Sequence, residues 1–254
     1  MADLNFSPGT TISHFRIDKK LGEGGMGAIF LAEDLTLSRQ VAIKFMNRAA
    51  VARQANPEEQ DNIYQRFIRE AKSAATINHP NLAQIYEANF DTEHWYIAME
   101  YIDAGDLYER IEKGEKYELD DILSIFRQTV DGLKYAWENH KIIHRDIKPQ
   151  NIMLTKKKTI KIVDLGLAKP VVNQAEELNL TTEMTPIGTP YYMSPEQASG
   201  ESNVNFLVDI FSLGVTMYEV CTGKKPFEHK SLAMIYMAQM EKKYTPILDL
   251  NPEI

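Results

Sequence analysis

The chain has 254 residues, of which 44% are hydrophobic and 25% charged, a balance that excludes a disordered or fibrous protein and suits one large domain or two small lobes. Lys and Arg number 28 against 36 Asp and Glu, a formal net charge of −8, which argues against a surface built to bind nucleic acid or an anionic membrane. The one cysteine, Cys221, excludes an internal disulfide, fits a reducing compartment and, beside Val220 and Met217, reads as a small core residue of a buried helix.

Met1 to Ser13 has no basic stretch followed by an apolar one, and no apolar run approaches membrane-spanning length, so a cytoplasmic chain without a membrane segment is expected. From Phe15 to Tyr101 short β-like segments recur: Ile29-Phe30-Leu31, Gln40 to Phe45 and Trp95 to Met99. One helical stretch from about Glu58 to Ile77 interrupts them. Gly22-Glu23-Gly24-Gly25-Met26-Gly27 has G-x-G-x-x-G spacing, whose glycines let a backbone approach phosphates closely. The same spacing opens the helix of a dinucleotide-binding fold, but here Ala28 to Ala32 continues as a strand. A glycine-rich hairpin over a nucleotide and a purely structural turn both remain open. Lys44 ends the apolar strand Val41-Ala42-Ile43, either as an edge or solvated residue or as a phosphate ligand. In the second case Glu70, beside the inward-facing Phe67, Ala71 and Ala74, is its carboxylate partner rather than a solvated helix charge.

Met99 to Asp106, with its Gly and Asp, reads as a connection, so a β-rich lobe is assigned to 1–101 and a helical lobe to 102–254. Ile122, Ile125, Phe126, Thr129, Val130, Leu133 and Ala136 recur at three- and four-residue spacing and predict one buried helix stripe. Next comes His144-Arg145-Asp146-Ile147-Lys148-Pro149-Gln150-Asn151, which fits H-R-D-x-x-x-x-N at every fixed position. Ile152 to Leu154 and Ile160 to Val163 flank Lys156-Lys157-Lys158 as a hairpin with a solvated tip. Lys169 to Pro190 is a polar loop too long for an ordinary connection.

The H-R-D motif, with the glycine run and the strand lysine before it, resembles the eukaryotic-like (Hanks-type) serine/threonine protein kinases. The phrases GEGGMGAIFLAEDLTLSRQVAIK and YYMSPEQ look most like their bacterial branch. The resemblance implies an α+β, two-lobed kinase fold, with a small antiparallel β lobe carrying one helix and a larger, mainly α-helical lobe. It implies transfer of the γ-phosphate of ATP to Ser and Thr hydroxyls of proteins, with Mg²⁺ as cofactor and Mn²⁺ as a substitute. By the same resemblance Asp146 orients the acceptor hydroxyl and takes its proton, Lys148 addresses the γ-phosphate, and Asn151 and Asp164 hold the metal. Lys44, held by Glu70, reaches the phosphates. ATP would lie against Gly22, Glu23, Gly24, Gly25, Gly27, Ile29, Ala42 and Lys44, with Met99, Glu100 and Tyr101 at the adenine and Asp106 near the ribose. Asp164-Leu165-Gly166 departs from the family's D-F-G only at its middle, apolar residue.

Thr189, in the G-T-P element, would contact the catalytic aspartate and lysine, Glu196 is the glutamate of the S-P-E element, and Asp209 would anchor the catalytic loop from a buried helix. Arg145 marks the class whose activation loop is phosphorylated, with Thr181, Thr182 and Thr185 as candidates, Thr182 favoured by its distance from Gly188, and autophosphorylation expected. Two other classes compete: a nucleotide-binding pseudokinase or scaffold, and a small-molecule phosphotransferase of the same fold. Retention of Lys44, Asp146 and Asp164 argues against the first, and the G-T-P…S-P-E ending argues against the second. The sequence stops at Asn251-Pro252-Glu253-Ile254, where the family continues through further helices with an arginine for the Glu196 position. Either a fragment of a longer protein is expected, or a shortened kinase of limited activity whose helical lobe is completed by a homodimer or another partner or is left less stable.

Overall fold

The computed structural model describes residues 4–24, 27–47, 57–90, 94–165, 190–201, 204–229 and 231–254. They fall into two units, one of Met1–Asn78 with Ala83–Tyr101 and the other of His79–Leu82 with Ile102–Ile254. The first is an antiparallel sheet of β1 (Thr11–Ile12), β2 (Phe15–Gly24), β3 (Gly27–Asp34), β4 (Arg39–Met46), β5 (Ile85–Asn89) and β6 (Tyr96–Glu100), in the order β1-β2-β3-β4-β6-β5. It carries one long helix, α1 (Pro57–Ala75).

Strand alternation explains the sheet's two faces. Phe15 and Ile17, Ala28, Phe30 and Ala32, Val41, Ile43 and Phe45, and Tyr96 and Ala98 point to one side and form a single apolar cluster. Phe6 closes over it, its ring centroid 4.7 Å from that of Phe45 and 5.4 Å from that of Phe30. The β3–β4 turn is fixed by Asp34, whose buried carboxylate accepts from the N–H groups of Thr36 and Leu37, each at 3.0 Å. Burial alone would raise this carboxyl, yet those two donors and Arg39 bring it below its ordinary range.

The second unit holds α2 (Leu107–Glu112), α3 (Leu119–His140), the hairpin β7 (Ile152–Leu154) and β8 (Ile160–Ile162), then α4 (Pro195–Ala198), α5 (Leu207–Thr222), α6 (Leu232–Met240) and α7 (Ile247–Leu250). Helix α3 buries Ile122, Ile125, Thr129, Gly132, Leu133 and Ala136. Phe126, expected on that stripe, is instead 41% exposed: it continues the flanking row of Leu119 and Leu123, which are exposed too. Gly132 brings the helix close to its neighbours, since a Cβ there would lie 3.1 Å from Ile162 Cδ1 and 3.2 Å from the Asn81 carbonyl oxygen. Asn81 explains why His79–Leu82 belongs to this unit: its Nδ2 donates to the Ile160 carbonyl at 3.0 Å, and its own carbonyl accepts from Ile162 N–H at 2.9 Å. Among the described residues no helix is long and apolar enough to cross a membrane.

The glycines flanking the β2–β3 connection differ in kind. A Cβ on Gly27 (φ +156°) would lie 1.8 Å from the Phe45 carbonyl oxygen, whereas one on Gly22 or Gly24 would meet nothing within 4 Å. Gly27→Ala should therefore cost about 2 kcal/mol and lower the melting temperature by roughly 4–8 °C. Gly22→Ala and Gly24→Ala should melt within about 1 °C of the parent chain, as surface changes do; differential scanning calorimetry of the three variants is the check.

Candidate active site

In the first unit, strand register gathers several candidates on the face opposite the Phe15–Phe45 cluster. Ile29 pairs with Lys44 and Lys44 with Ile97, while Leu31 pairs with Ala42 and Ala42 with Met99. Ile29, Ala42, Lys44 and Met99 therefore share one side of three adjacent strands. Lys44 lies on β4, flanked by β3 and β6, and is half-buried, so it is not an edge lysine. Gly22 and Gly24 end β2, where Gly24 pairs with Gly27 across the connection, and Glu23 is exposed and ion-paired with Lys20. Glu100 closes β6, its N–H donating to the Gln84 carbonyl at 2.8 Å, and the half-buried Tyr101 follows it. Glu70 lies on α1, but its side chain, like Gly25, lies outside the described residues.

The reactive candidates of the second unit cluster on the loop before β7. Lys148 Nζ lies 3.0 Å from Asp146 Oδ2, and Asn151 Nδ2 lies 3.3 Å from the same oxygen and 2.7 Å from the Asp146 carbonyl. An ammonium and an amide thus hold one carboxylate in a fixed orientation. Asn151 Nδ2 is committed to Asp146, and no donor to its Oδ1 is found among the described residues. The β7–β8 ladder extends one further rung, Val163 N–H donating to the Asn151 carbonyl at 3.0 Å, and Asp164 is the residue that follows this rung. An amide oxygen and a carboxylate suit a hard cation such as Mg²⁺, which takes one or two protein oxygens and fills its shell with water and phosphate. Asp164 adopts the left-handed conformation at φ 58°, and Leu165 beside it is buried.

A carboxylate on a distant helix holds the backbone of this loop. Asp209, on α5 and only 5% exposed, accepts from His144 N–H through Oδ2 at 2.8 Å and from Arg145 N–H through Oδ1 at 2.7 Å. Burial pushes its carboxyl up, while the nearby His144, the two N–H donors and Arg145 pull it back. The buried His144 spans to β8. Its Nδ1 accepts from Asp146 N–H at 3.2 Å, so the proton sits on Nε2, which donates to the Val163 carbonyl at 2.9 Å.

Asp106 has a role that D-x-x-E spacing could have suggested: it is the N-cap of α2, accepting from Glu109 N–H at 2.8 Å. Sequence reasoning also missed Tyr192, Glu219 and Lys225. The Tyr192 hydroxyl donates to Glu219 Oε2, Lys225 Nζ lies 3.4 Å from Glu219 Oε1, and Ser212 Oγ donates to the Tyr192 carbonyl at 2.7 Å. Three polar groups dispersed over the sequence leave no periodic signal. Glu196 is exposed, with no hydrogen bond or ion pair from its side chain among the described residues. Thr181, Thr182, Thr185 and Thr189 lie outside the described residues. Asp209→Asn offers only one acceptor oxygen to two N–H groups and so leaves one of them unpaired. The chain should lose about 1–3 kcal/mol of stability, as urea titration will show.

The sequence matches the protein kinase domain family over residues 15–252. It is 34% identical to the probable serine/threonine-protein kinase PknB of Lactococcus lactis, over 94% of this chain and 36% of that protein. It is 33% identical to the serine/threonine-protein kinase PrkC of Bacillus subtilis, over 94% and 35% of the two chains. With the serine/threonine-protein kinase PknB of Mycolicibacterium smegmatis the identity is 35%, over 94% and 38%. The chain spans somewhat more than a third of the length of these curated relatives. From its glycine-rich hairpin to its H-R-D loop, it belongs to the protein kinase domain family.

Proposed function

We propose that this domain transfers the γ-phosphoryl group of ATP to Ser and Thr hydroxyls of protein substrates, with Mg²⁺ as the working cation and Mn²⁺ as its substitute. The carrying observation is the convergence of Lys148 and Asn151 on one oxygen of Asp146. Phosphoryl transfer asks little covalent chemistry of the protein and much positioning and charge neutralisation. Asp146 orients the acceptor hydroxyl and takes its proton, Lys148 stabilises charge on the γ-phosphate, and Asn151 and Asp164 supply cation oxygens. The bound cation bridges and neutralises phosphate oxygens.

In the first unit Lys44, with Glu70 as its carboxylate, serves the phosphates, and Gly22, Gly24, Gly25 and Gly27 let the backbone approach them. Ile29, Ala42 and Met99 supply apolar contact, Glu100 and Tyr101 backbone groups, and Asp106 a ribose contact beside its capping bond. Arg145 Nε is buried with no hydrogen-bond partner among the described residues, which supports pairing with a phosphate on Thr181, Thr182 or Thr185 after autophosphorylation. Thr189 keeps the supporting role the family gives it, a contact with the catalytic aspartate and lysine. The single cysteine supports a cytoplasmic setting, and exposed Met234, Met237 and Met240 on α6 support association with a second copy or another protein. Lys44, Asp146, Asn151 and Asp164 are all present, so nothing favours the pseudokinase alternative.

Incubation with γ-labelled Mg·ATP and a generic protein substrate should label Ser and Thr, and Asp146→Asn should lower the rate about 10²- to 10⁴-fold. ATP binding without transfer by the unsubstituted chain would overturn the proposal. Gly24→Ala, which leaves the fold unstrained, should raise KM for ATP.

A further inference from the structure

Arg145 sits between His144 and Asp146 in the left-handed conformation, at φ 65°, which an arginine adopts only when its surroundings impose it. Asp209 holds its N–H. Its carbonyl accepts from Gln197 Nε2 at 3.0 Å, a contact from α4, across 52 positions of the chain. The Gln197 amide is doubly employed. Its Oε1 accepts from Ser194 N–H at 3.2 Å, and its backbone N–H returns to Ser194 Oγ at 3.3 Å, which closes a capping box at the start of α4. Only one orientation of the amide satisfies both neighbours, because Ser194 offers a donor and Arg145 an acceptor.

We infer that Gln197 is a positioning residue for phosphoryl transfer: its Nε2–H, bonded to the Arg145 carbonyl, fixes the peptide that leads into Asp146 and thereby the aim of the Asp146 carboxylate. This inference rests on the kinase reading of Asp146. It is separate from helix capping, since the cap uses Oε1 and the clamp uses Nε2. Glutamate separates the two functions. Gln197→Glu keeps the S-x-x-E form of the capping box but loses the donor and sets a carboxylate against a carbonyl oxygen.

Gln197→Glu should lower kcat about tenfold, the worth of one hydrogen bond of ordinary strength, with KM for ATP unchanged and only a modest loss of melting temperature. The deficit relative to the parent chain should shrink at acidic pH, where the introduced carboxyl takes up a proton and regains a donor. Gln197→Met, which drops both bonds at similar length, should lose comparable kcat and additional thermal stability. Amide hydrogen exchange over 143–151, which needs no transfer activity, should accelerate in both variants. Unchanged kcat in folded Gln197→Glu overturns the inference, as does failure of both variants to fold, which would make Gln197 a folding residue. If the parent chain transfers no phosphate, the kinase reading fails. The exchange data then judge the clamp alone: acceleration in folded Gln197→Glu sustains it, and unaltered exchange overturns it.

Discussion

The two oxygens of Asp209 accept the N–H groups of two consecutive residues, His144 and Arg145, and the local order of the second unit depends on that bond pair. A buried carboxylate is costly unless its lone pairs are met, and a left-handed arginine is costly unless its backbone is held. Each cost is offset by the other group. With Arg145 held, His144 meets the Val163 carbonyl, Asp146 faces Lys148 and Asn151, and Val163 N–H bonds the Asn151 carbonyl. The loop backbone is held from α5, and the Asp146 carboxylate by Lys148 and Asn151.

The first unit reaches a comparable result through strand geometry. A six-stranded antiparallel sheet commits one face to the aromatic cluster around Phe30 and Phe45, and period-two alternation then gathers Ile29, Ala42, Lys44 and Met99 on the other. Lysine on a strand flanked on both sides is an expensive choice for a surface residue, which is why its β-pattern could be read as an edge until the strand order was known. Gly27 is a glycine for a reason of packing, the close approach of the Phe45 carbonyl, whereas Gly22 and Gly24 border open space.

Much of the fold was legible because it is local. The β7–β8 hairpin, the helix over 119–140 and the helix over 57–75 follow from apolar spacing, and the H-R-D loop is a run of adjacent residues whose types and order carry its chemistry. Phe126 was misassigned because i+4 from Ile122 fits either the buried stripe or its flank, and only the neighbours of α3 choose between them. Asp106, expected near the ribose by resemblance, is also the N-cap of a helix, and nothing in the local sequence pattern separates the two uses of the same oxygens.

By itself the sequence determined the kinase family and the division into β-rich and helical parts, because each is written in residue types at short, fixed separations. Tertiary structure alone decided that Asp209 and Gln197, 64 and 52 positions beyond Arg145, take its N–H and its carbonyl, that Asn81 bonds the hairpin and the helix beside it, and that Tyr192 and Lys225 meet at Glu219. Hydrogen bonds between remote polar groups leave neither periodicity nor spacing in a sequence, and their partners become known only when the chain has brought them within three ångströms or so of one another.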